Sequence, residues 1–162
     1  MSKSLSPTLR IGWMVLPQRL VGPVVTAKGE REQFSSATEQ LTLADFVASG
    51  AYDRQVRRMR QRHRRRRDQL VAALERRAPH IRVTGIAAGL HAVLELPPGT
   101  ERSAVRAAAW QGLAVEGLGD YLHPGAGQAE GSRDGLVVGY ATPAESAYPE
   151  ALEALCRALP PG

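Results

Sequence analysis

The sequence predicts an α/β fold in which helices cover one face of a small sheet and one long helix leads the layer. Three observations carry this. Val56, Met59, His63, Leu70 and Leu74 recur at spacings of three, four or seven, the period of a helix with one apolar stripe. Leu90, Ala92, Leu94 and Leu96 alternate with His91, Val93 and Glu95, the period of a half-buried strand. The elements also follow in the order helix, strand pair, helix, strand, strand, helix, which is that of a compact α/β layer.

Each element has its own local reason. Residues 9–16 are an apolar run stopped by Pro17, so a short buried strand is predicted there. Across residues 18–39 the pattern is weak, with Gly22, Gly29 and the polar stretch from Ser35 to Thr38, and helix pieces around a loop are expected. Residues 41–47 predict a short helix that Gly50 punctuates. The long helix spans about residues 52–77. After Pro79 come a short strand over 81–83 and a longer one over 90–96, ended by Pro97, Pro98 and Gly99. A helix over 102–111, the run Leu113-Ala114-Val115, a glycine-rich loop over 117–131, a strand over 136–140 and a last helix over 144–159 complete the chain. Residues 1–51 do not belong to this layer; they form the tail of a different unit, and residues 52–162 form the connector helix and small domain.

A chain of 162 residues is long enough to bury a core. Aromatics are only 5% of it, so aliphatic side chains and alanine must fill that core. The lone Cys156 has no disulfide partner, and one thiol with four scattered histidines makes no metal site. No run approaches the ~20 apolar residues of a membrane span, and no apolar segment of a signal peptide follows Met1, so a cytoplasmic protein is expected. The net charge of +5 raises nucleic-acid binding as a possibility. Nine arginines fall between Arg54 and Arg67, without interleaved aromatics to stack bases. Asp53 to Arg57 and Arg64 to Asp68 are i,i+4 pairs, which favours a solvated connector helix.

The segment Ser2-Lys3-Ser4-Leu5-Ser6-Pro7-Thr8-Leu9-Arg10-Ile11-Gly12-Trp13 resembles the Schiff-base segment of fold-type-I pyridoxal-phosphate (PLP) enzymes, the aminotransferase fold. Lysine is required there because its neutral amine condenses with the cofactor aldehyde, and a guanidinium grips a phosphate with two parallel hydrogen bonds. The resemblance implies that Lys3 is the Schiff-base lysine and that Ser2, Lys3 and Arg10 bind PLP. The stretches over residues 40–50, 54–60 and 65–68, with Gly89-Leu90-His91 and the Gly135 to Tyr140 strand, are similar to MocR-type transcription regulators. These join a GntR-class winged helix-turn-helix to an aminotransferase-like domain.

That family places its DNA-binding domain, the aromatic that stacks on the cofactor ring and the Asp that pairs with the pyridine nitrogen N-terminal to the lysine. The 162 residues contain none of them. The expectation is therefore a truncated C-terminal fragment of a regulator's effector domain, with a remnant of the large PLP domain in front and no stable hold on PLP or enzymatic activity of its own. The alternative is a C-terminal fragment of a true class I/II aminotransferase. In the intact family the partners are a second copy in a homodimer, an amino-compound effector, and DNA through the winged helix-turn-helix alone.

Val137 discriminates the two, because in amino-acid aminotransferases the matching position carries an arginine that binds the substrate α-carboxylate. Among other residues, His63, His91, Cys156 and Tyr121 are expected to pack rather than react, although Tyr121 lies in a loop from which it could reach a ligand.

Overall fold

The computed structural model describes residues 11–29, 36–85, 89–122 and 133–162. The chain divides into two compact units, Met1–Arg60 and Gln61–Gly162.

In the first unit, residues 11–17 form no strand, contrary to the expectation for residues 9–16. An apolar run becomes a strand only beside a partner, and none of the described residues pairs with residues 11–17. Trp13, Met14 and Val15 are exposed as a result, Val15 at 93%. Leu9 lies outside the described residues. Helix α1 (Gln18–Lys28) starts after Pro17, and α2 (Ala37–Ala48) starts well before the predicted helix. The reason is a cap: the Ser36 side chain accepts the Glu39 backbone N–H at 3.4 Å, in the Ser-x-x-Glu spacing of a capping box. Gly50, at φ +68°, takes the left-handed turn that lets the chain leave α2 and enter the next helix.

Helix α3 (Ala51–Arg77) is one unbroken helix, as its periodicity requires. Its last third carries Leu70, Ala73 and Leu74 into the core of the second unit. Strands β1 (Arg82–Thr84), β2 (His91–Glu95), β3 (Glu116–Gly117) and β4 (Gly135–Gly139) build a fully antiparallel sheet in the order β1-β2-β4-β3. Helices α4 (Glu101–Trp110) and α5 (Tyr148–Ala158) complete the layer. Within the glycine-rich loop, Leu118–Tyr121 forms a 3-10 turn.

Register decides which face is dry. Ala92 pairs with Val138 and Leu94 with Leu136, and all four are buried. They meet Leu70 and Leu74 of α3, Ala104 of α4, and Tyr148 and Leu155 of α5 in one core. Helices thus cover one face, as predicted. The period of two sends the next residues to the other face, where Thr84, Val93, Val137 and Glu116 stand in one row across all four strands.

Candidate functional site

Ser2, Lys3 and Arg10, the cofactor residues implied by the resemblance, lie outside the described residues. Their chemistry fits PLP in kind: an amine for the aldehyde, and a hydroxyl and a guanidinium for the phosphate. When bound, PLP supplies an aldehyde that condenses with amines and a ring that withdraws electrons. The described surface nearest in sequence is a hollow lined by Ile11, Gly12, Trp13, Leu43, Ala44 and Val47, with Gln40 and Ala48 at its margin. Aliphatic and aromatic carbon dominates it, with no cation among its described lining residues.

The second unit holds a cavity of about 450 Å³ at the β4 edge, closed by α5 and by the chain entering β3. That size suits a small organic ligand. It forms because β3 pairs only with Leu136 and Val137, so nothing among the described residues covers the rest of β4 on that side. Leu113, Val115, Leu152 and Leu155 supply apolar wall; His91, Glu116 and Thr142 supply polar groups. Val137 lines it too, so the discriminating position and His91 come together here. The His91 imidazole lies against Gly139, its partner in register. Tyr121 is exposed and its hydroxyl donates to the Glu116 carboxylate, an acceptor that raises the phenol pKa. Tyr140 and Tyr148 also border the cavity, but their hydroxyls are engaged: Tyr140 donates to the Gly89 carbonyl and Tyr148 to that of Arg66 at 2.7 Å. Burial pushes the Tyr148 phenol up to about 12, against the pull of the neighbouring Arg66.

Behind this cavity lies a feature that the sequence reading missed. Arg66, in the middle of the arginine run, is 1% exposed. Its guanidinium donates to the carbonyls of Tyr140 (3.2 Å), Ala141 (3.1 Å) and Pro143 (2.7 Å), and to Glu145 Oε2 (3.1 Å). It also lies over the Tyr148 ring, 4.6 Å from the centroid. Nε is left without a hydrogen-bond partner. Arg62 assists: its Nε sits 3.0 Å from Glu145 Oε2, close enough to pair electrostatically but at an angle that makes no hydrogen bond. The expected pairs Asp53 to Arg57 and Arg64 to Asp68 are not among the ion pairs of the described residues. The clamp instead fixes the loop after β4, and with it one wall of the cavity. The signal was the helical phase, since position 66 falls between His63 and Leu70 on the apolar stripe.

His63 packs edge-on to Tyr140, and burial, then Arg62 and Arg66, lower its pKa. Cys156 is half-buried against the core, and burial raises its thiol pKa. Both therefore pack, as expected, and neither is poised to react.

A second anchor fixes β3. The Glu101 carboxylate accepts the N–H of Gly119 (3.2 Å) and of Gly135 (2.9 Å), and Asp134 Oδ2 accepts the N–H of Glu101 (2.9 Å) at the start of α4. Gly117 and Gly119 are small for a reason: a Cβ on either would overlap Glu101 Oε1. This ties the strand that carries Glu116 to the one that carries Val137.

The fold and this arrangement define an aminotransferase-like α/β layer. The profile of the aminotransferase class I and II family matches residues 1–127, and the chain belongs to that family. It is 34% identical over 116 residues to the uncharacterized HTH-type transcriptional regulator YhdI of Bacillus subtilis, covering 70% of this chain and 25% of YhdI. It is 31% identical over 160 residues to the HTH-type transcriptional regulator TauR of Rhodobacter capsulatus, covering 98% of this chain and 32% of TauR. Among solved structures, LysN, the α-aminoadipate aminotransferase of Thermus thermophilus, aligns with a TM-score of 0.80 at 26% identity, covering 98% of this chain and 40% of LysN. The chain thus spans a quarter to a third of the length of these curated relatives. PLP is the cofactor of the family. No helix among the described residues is long and apolar enough to cross a membrane.

Proposed function

We propose that this chain is part of the effector domain of a MocR-type, GntR-family transcription regulator, which senses PLP and an amino compound without transferring its amino group. The observation that carries this reading is Val137. By resemblance it occupies the place of the arginine that clamps the α-carboxylate in amino-acid aminotransferases, and its cavity presents no Arg or Lys among the described residues to replace that clamp. The regulators matched across 70% and 98% of the chain support it.

In this reading residues 1–51 belong to the large domain and residues 52–162 to the connector helix and small domain. Lys3 is the Schiff-base lysine, with Ser2 and Arg10 as further cofactor ligands. The whole regulator works in the cytoplasm as a homodimer, and its DNA contacts come from a winged helix-turn-helix outside these 162 residues. The alternative, a class I/II aminotransferase, draws on the likeness to LysN. It is the weaker reading because it leaves the substrate carboxylate without a partner.

The test is amino-group transfer from a panel of amino acids to a keto acid by the whole regulator, with PLP in excess. No turnover above a Lys3→Ala control is expected; turnover that depends on Lys3 would refute the sensing reading.

A further inference from the structure

The cavity beside β4 has one carboxylate and no Arg or Lys in its described lining, although the chain as a whole carries +5. Two carboxylates stand on the open face of the sheet, and they differ. Glu95 is met by Arg82 at 4.0 Å and Arg133 at 3.4 Å. Among the described residues Glu116 takes part in none of the ion pairs, and the Tyr121 hydroxyl donates to it. That hydroxyl orients the carboxylate without neutralising it.

Glu116 is the direct cross-strand partner of Val137, so the two side chains share a face and both line the cavity. Past them the wall is carbon: Leu113, Val115, Leu152 and Leu155. The Glu101 anchor on Gly119 and Gly135 holds β3, and therefore Glu116, in this register.

We propose that this cavity binds an organic monoamine, its ammonium on the Glu116 carboxylate at the mouth and its apolar body against Leu113, Val115 and Leu152. A charge-assisted hydrogen bond from ammonium to carboxylate selects the cation, and the apolar wall selects the carbon skeleton. A free carboxylate on the ligand is disfavoured twice, by repulsion from Glu116 and by the absence of any Arg or Lys in the described lining. The ligand class is thus an amine lacking the carboxylate of an amino acid.

This goes beyond the regulator reading and is tested separately from it, since it needs neither PLP nor DNA. The full chain is titrated with hexylamine and with hexanoate, following backbone amide resonances of Val115 and Val137 by NMR. Hexylamine should shift them saturably, with hexanoate at least about tenfold weaker. Glu116→Gln, which keeps the side-chain shape, should weaken hexylamine about tenfold and leave the circular dichroism spectrum unchanged. Val137→Arg should reverse the preference toward hexanoate. Equal binding of the two ligands to the parent chain, binding of neither, or hexylamine affinity unmoved by Glu116→Gln in a folded variant would each overturn the proposal. Because the comparison of ligands on the parent chain needs no variant, a misfolded substitution does not rescue it.

Discussion

Replacing Arg66 by alanine should destabilise the unit Gln61–Gly162 by about 3–5 kcal/mol, the cost of removing one partner from a buried charge network. The size follows from what the guanidinium touches. Three of its hydrogen bonds go to backbone carbonyls, of Tyr140, Ala141 and Pro143, and hydrogen bonds from a charged donor are worth about 1.5–3 kcal/mol each before any regained water is counted. The ring of Tyr148 adds roughly 0.5–2 kcal/mol. Glu145 contributes little, because its side chain is 67% exposed and solvent screens the pair. Glu145→Gln should therefore cost no more than about 1 kcal/mol. Arg66→Lys should fall between, because a single ammonium cannot span carbonyls that a planar fork reaches together. Urea denaturation followed by far-ultraviolet circular dichroism, with amide hydrogen exchange across residues 136–148, reads all three variants. If Arg66→Ala stays within about 1 kcal/mol of the parent, or Glu145→Gln costs as much as Arg66→Ala, the carbonyl clamp does not hold this loop.

Two further substitutions probe other supports. Gly117→Ala should cost about 1–3 kcal/mol, because the new methyl displaces Glu101 from the Gly119 and Gly135 amides; Glu101→Ala in the same background should then add little, and clear additivity would refute the coupling. For His63, the folded chain disfavours the imidazolium, so stability is fully present above the ordinary pKa of 6.5 and falls as pH drops through the lowered folded value. His63→Gln should remove that part of the acid sensitivity, and urea midpoints at pH 7 and pH 5 that fall equally in both proteins would contradict it.

The long helix and much of the second unit were legible in the sequence. Val56, Met59, His63, Leu70 and Leu74 could repeat only on a helix, and the alternation through Leu90 to Leu96 placed Ala92 and Leu94 inward because a strand has no other period. The apolar run over residues 9–16 misled for the same reason that it attracted notice: hydrophobicity predicts burial but does not supply the neighbouring strand that burial requires. Arg66 was hidden by its company, since eight other arginines lie between Arg54 and Arg67 and only helical phase separates it from them. Glu101 and Glu116 were illegible. The role of each depends on the β3–β4 register, a contact between segments about twenty residues apart that no local pattern encodes.

By resemblance Lys3 and Arg10 are cofactor residues, and we propose that they do not by themselves hold PLP. Selective PLP binding requires the phosphate grip, the ring stack and the pyridine partner together, and the resemblance places the last two N-terminal to Lys3. The most direct measurement is a visible-absorption titration of the chain with PLP, beside Lys3→Ala and Arg10→Ala. No saturable band at near-stoichiometric PLP, and no difference among the three proteins, is the expected result. A tight band that disappears with Lys3→Ala would contradict it.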